Sequence, residues 1–140
     1  MRRVAVILLV VGVLCFFGCS SKSDTPAEDA AVKAAQAWVS LVDSGKYEES
    51  WNETAEFFKG AVHKDGWQRS MEAVRRPLGA NLSREVKSRE YSTTMPGAPD
   101  GEYVVIQFES SFEYKKSAIE TVAPMLDKDG KWRVAGYYIK

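Results

Sequence analysis

Apolar and polar positions alternate most regularly in the last third of the chain. Between Glu102 and Tyr114, Val104, Ile106, Phe108, Phe112 and Tyr114 share one side, while Gln107, Glu109, Ser111 and Glu113 take the other. A period of two is that of a strand with one buried face. Two more strands follow, Ser117 to Asp127 and Lys131 to Lys140. The Asp127 to Gly130 stretch between them ends in Asp-Gly, a strong hairpin signal.

Upstream the period changes to that of helices. Thr25, Pro26 and Glu28 form a helix start: a capping residue, proline at the first helical position and the acid that completes a capping box. Ala31, Ala34, Ala35, Trp38, Leu41 and Val42 make the apolar stripe that follows, and Gly45 supplies its stop. A second helix places Tyr47, Trp51, Ala55 and Phe58 on one side and ends at Gly60. A third carries Trp67, Met71, Val74 and Leu78 and breaks at Pro77 and Gly79. Leu82 to Met95 is polar enough for an exposed helix, but Ser92 to Thr94 and the turn-rich Pro96 to Gly101 favour a strand entering a hairpin. The prediction is an α+β fold, with three N-terminal helices packed on a curved four-stranded antiparallel sheet.

Length bounds this to one domain, since the chain has 140 residues. A hydrophobic content of 45% suits a packed core, and 19 basic residues balance 19 acidic ones. No basic face that would track phosphates is visible, which argues against nucleic acid as a partner.

The N-terminus reads as an address. Arg2 and Arg3 precede an apolar run from Val4 to Phe17, shorter than the roughly twenty residues of a membrane span, as in a secretory signal peptide. The run ends at Gly18 and Cys19, which resemble the cleavage and lipidation positions of a bacterial lipobox. Phe16 departs from the Leu usual three residues before the Cys. Cleavage between Gly18 and Cys19 would leave the mature chain without a second thiol, because Cys15 is removed. Two or three acyl chains on Cys19 would make the anchor effectively permanent, at about 0.8 kcal/mol per buried methylene. Ser20 lacks the Asp that by resemblance retains such proteins at the inner membrane, which points to the periplasmic face of the outer membrane. Ordinary cleavage would instead give a secreted soluble protein. The chain thus divides into a signal peptide (1–18), a flexible polar tether (19–29) and one domain (30–140).

Gly97 to Phe108, the Lys115 to Ala118 corner and Lys131 to Ile139, together with Trp51 and Trp67, resemble the bacterial domain-of-unknown-function 4019 family. The resemblance runs from about Ala30 to Lys140. It implies a cystatin-like, nuclear transport factor two-like cone in which a curved sheet wraps helices around a pocket. It brings no established activity and no catalytic residues.

Little in the residues points to catalysis. His63 is the lone histidine, which excludes a His-rich metal site and a two-histidine mechanism; it reads as an exposed or capping residue beside Lys64 and Asp65. No phosphate loop or nucleophile elbow is present, and no cofactor is implied. The best pair is Glu120 with Tyr138, a carboxylate and a phenol that could abstract protons if both pointed into a cone. Alternatively Glu120 faces solvent beside Arg133 and Tyr138 is core, and Pro124 interrupts the alternation between them. Trp38, Trp51, Trp67, Tyr114, Trp132 and Tyr138, with Phe57 and Phe58, could line an apolar pocket or simply form core. Arg75 and Arg76 read as a solvated helix face. The function this favours is a non-catalytic envelope lipoprotein that binds a small apolar ligand or a protein partner. The alternatives are an isomerase or dehydratase using Glu120 and Tyr138, and an immunity-like inhibitory protein.

Overall fold

Thr25 fixes where the first helix begins. In the computed structural model, which describes residues 25–140, its hydroxyl accepts from the Glu28 N–H at 3.2 Å and its own N–H donates to the Glu28 carboxylate at 3.3 Å. Helix α1 runs Pro26–Asp43, so positions 26–29 form its first turn. It ends as the glycine foretells: the Gly45 N–H donates to Val42 O and the Lys46 N–H to Leu41 O, with Gly45 at φ 73°. Residues 1–24, with the expected lipobox and Cys19, lie outside the described residues.

The predicted second helix is two helices. α2 spans Tyr47–Asn52 and α3 spans Glu56–Ala61. Between them the Thr54 hydroxyl donates to Trp51 O at 2.6 Å, and the Ala55 N–H donates to Val134 O at 2.9 Å. A backbone group spent on the edge of the sheet cannot also continue a helix. α4 spans Lys64–Arg75 and passes into a 3₁₀ turn, Arg76–Leu78. The described residues thus hold four α-helices where three were expected. None is long and apolar enough to cross a membrane. In α4 the inward row is Trp67, Met71 and Arg75, while Val74 is 39% exposed.

The sheet is an antiparallel meander in the order β1-β2-β3-β4, with β1 Asn81–Ser92, β2 Tyr103–Phe112, β3 Lys115–Leu126 and β4 Trp132–Ile139. Leu82 to Met95 is therefore mostly strand, as an edge strand with both faces largely wet. α1 packs across one face of all four strands. There Val104, Ile106, Phe108 and Val122 meet Ala35, Trp38, Val39 and Val42 in a single core with Trp67 and Met71. Tyr114 does not share the buried face of β2. The strand ends at Phe112, and Tyr114 sits in the following turn, 76% exposed. The turn at Asp127 closes as predicted, with the Gly130 N–H donating to Asp127 O and Gly130 at φ 81°.

Candidate functional site

Glu120 stands on the helix-facing side of β3, between Ala118 and Val122, and is fully buried. A carboxylate removed from water must be satisfied from within the protein. Its Oε1 accepts from Arg84 Nε at 2.7 Å and from Ser110 Oγ at 2.5 Å, and its Oε2 accepts from Tyr137 Oη at 2.5 Å. The expected solvent-facing pair with Arg133 is not formed; Arg133 holds Asp127 and Asp129 in the β3–β4 turn.

Arg84 carries the network onward. Its Nη1 and Nη2 donate to Asp43 at 2.7 and 2.9 Å, and Arg75 Nη2 donates to the same carboxylate at 2.6 Å. Asp43 is the last residue of α1, where the helix dipole disfavours an anion, so two guanidiniums offset its charge. Arg75 is not on a solvated face. It is 5% exposed and stacked 5.0 Å over Phe112, because its spacing from Met71 points it inward. Its Nε and Nη1 have no hydrogen-bond partner among the described residues. Arg76 is exposed. Two carboxylates and two guanidiniums thus form a charge-balanced chain linking the ends of α1 and α4 to β1 and β3.

The electrostatics follow the geometry. Burial pushes the Tyr137 phenol far above its ordinary value, and the neighbouring Glu120 charge adds to the shift. Burial would raise Asp43, but hydrogen bonds and charge from Arg84 and Arg75 outweigh it and hold the carboxyl below its ordinary value. Arg84 is raised despite its burial, by Asp43 and Glu120.

The phenol beside Glu120 is therefore Tyr137 and not Tyr138. Tyr138 lies across from Thr121 on the outer face and is 55% exposed. The cause is a register shift: Val122 pairs with Tyr137 and Pro124 with Val134, so β4 carries an extra residue beside Ala123. Such a bulge exchanges the faces of everything beyond it. Trp132 and Val134 still point inward, but the next inward phenol is Tyr137.

The tryptophans do not line one pocket. Trp38 and Trp67 are core, 5.8 Å apart, and their indole N–H groups are fixed by Ser50 O at 2.8 Å and Ser50 Oγ at 2.9 Å. Trp51 donates to Val62 O at 2.8 Å, with Lys59 and Lys64 over its ring. Tyr114 and Tyr138 are on the surface. What the structure does bring together is Trp38 and Trp132, in an open groove of about 530 Å³ between α1, α2 and β4. Ala34 and Leu41 share its apolar floor, and Glu53 and Lys131 stand among its polar residues. His63 occupies the N-cap position of α4, exposed and without a side-chain cap bond. Among the described residues no group of three or more His, Cys, Asp or Glu is placed to hold a metal.

Reading the sequence missed Arg84, Asp43, Ser110 and Tyr137. Ser110 did carry a signal: it falls at an inward position between Phe108 and Phe112, where a polar side chain requires a buried partner.

The fold and site define an α+β protein with an open four-stranded antiparallel sheet, α1 across one face and a buried ionic chain between them. It belongs to the DUF4019 family, described as a protein of unknown function, which matches residues 34–137. A search of the curated proteins finds no match to the chain.

Proposed function

We propose that this chain is a lipid-anchored, non-catalytic binding module of the cell envelope, a cystatin-like, nuclear transport factor two-like cone whose seat for a protein partner is the α1–α2–β4 groove. The observation that carries the non-catalytic reading is the state of Glu120. A general base must come within hydrogen-bond reach of substrate, whereas Glu120 is fully buried and already accepts from three internal donors. The groove supports the binding reading. It is open and apolar at its floor, with charges of both signs among its polar residues, which is the composition of a partner surface.

The test is site-specific photo-crosslinking in intact cells. A crosslinker at Leu41, in the groove, should yield one discrete adduct that Trp132→Ala abolishes, and a crosslinker at exposed Glu90 on β1 should yield none. The same adducts from both positions, or an adduct indifferent to Trp132→Ala, would remove the groove as the seat.

A further inference from the structure

A smaller cleft lies on the face of the sheet opposite α1, at the β4 edge where α3 reaches round. It encloses about 240 Å³ and is mostly apolar, with walls that include Phe57 and Met95 and a floor of Ala123, Ala135 and Gly136. The loop between β1 and β2 folds over this end of the outer face. It is held by the Tyr103 hydroxyl, which donates to Pro99 O at 2.5 Å. Tyr138, the residue that the β4 bulge turns outward, stands at the cleft.

Two details shape the cleft. The first is Gly136. It lies in the β4 bulge, a place where glycine is common, and it brings no side chain to the cleft. It is not among the positive-φ glycines, and a Cβ added there would meet only the Ala123 Cβ at 3.8 Å, an ordinary contact. A methyl here would fit the fold, and its absence leaves the floor flat. The second is Thr121. It lines the cleft at 4% exposure, and its Oγ1 has no hydrogen-bond partner among the described residues. A buried hydroxyl is ordinarily paired. Strands admit two common χ1 wells, so a rotation can turn this one to the cleft.

The size selects the occupant. An apolar cavity of about 150 Å³ accepts benzene, so this cleft has room for a second ring or a short substituent. A flat floor with aromatic neighbours favours a planar guest, because rings pair edge-to-face or offset-stacked. One free hydroxyl calls for one polar group. We propose that the outer-face cleft binds a small planar aromatic molecule bearing a single hydroxyl or amine, its ring on the Ala123–Gly136 floor and its polar group on Thr121. This site is on the other face from the groove and stands or falls independently of it.

The experiment is a titration of the methyl-labelled full chain with 2-naphthol, followed by NMR, with naphthalene as comparator. Shifts should concentrate on the methyls of Thr121, Ala123, Ala135 and Met95. Thr121→Val should weaken 2-naphthol about fivefold, the loss of one hydrogen bond, and leave naphthalene unchanged. Gly136→Ala should weaken both about tenfold without altering distant methyl signals, and Tyr138→Ala, at an exposed position, should weaken both should the glycine variant fold poorly. Absence of shifts at those methyls up to the solubility of 2-naphthol overturns the proposal. So does an equal loss for both compounds in Thr121→Val.

Discussion

Removing the carboxylate of Glu120 leaves the Nε of Arg84 facing a space that water barely reaches. Breaking one member of a buried ion pair typically costs about 3–5 kcal/mol, and Glu120→Gln should lower stability at the low end of that range because an amide still accepts. Tyr137→Phe leaves Oε2 without its donor and should cost about 2 kcal/mol, whereas Tyr138→Phe should stay within about 0.5 kcal/mol. Urea midpoints of the three variants distinguish the two adjacent tyrosines. The same residues set the pH profile. The depressed Asp43 contributes stability that is present above its ordinary value of 3.8 and is lost as pH falls below it. The raised Tyr137 contributes stability that is fully present below 10.0 and is lost as pH rises beyond it. Midpoints at pH 3, 7 and 11 should fall at both ends; Tyr137→Phe should flatten the alkaline side and Asp43→Asn the acid side. Glu120 was singled out from the sequence with its facing left open, and Ser110 carried an unused signal as a polar residue in the inward row of β2. Their partners were not legible, because Arg84 lies in a strand with no clear period and Asp43 at a helix end.

At the scale of elements, local chemistry was readable and long-range chemistry was not. The capping box, the Gly45 stop, the alternation of β2 and the Asp127 turn each depend on neighbouring residues, and each formed. The division between α2 and α3 depends on Val134, far along the chain, and leaves no mark in a local window; the bulge in β4 left Pro124 and Gly136 as marks, but neither says where the extra residue falls. Gly79 shows how tightly the elements meet. It joins the 3₁₀ turn to β1 at φ 73°, ψ −159°, a region essentially reserved for glycine. A Cβ there would lie 2.9 Å from Glu113 Cβ and from the Tyr114 ring. Gly79→Ala should therefore cost about 2–3 kcal/mol. Gly130→Ala, with φ 81° but nothing within 4 Å, should cost less. Thermal midpoints of the two variants provide the comparison.

For the molecule as a whole, the class of fold was legible, since helical stripes followed by alternating strands leave few other arrangements. Where the molecule resides rests on the proposed anchor. Cys19→Ser should abolish acylation, and the protein should then either retain its leader or leave the membrane fraction. Intact mass and fractionation check this, and a variant that stays membrane-bound at the wild-type mass would overturn the anchor. The ionic chain from Arg75 through Asp43 and Arg84 to Glu120 has a consequence for descent. Each link is held by a neighbour from a distant part of the sequence, so a lineage that loses Glu120 alone leaves the Nε of Arg84 unpaired and the chain one positive charge in excess. The open route is to exchange both for apolar residues together, and relatives should carry the pair intact or lack it altogether.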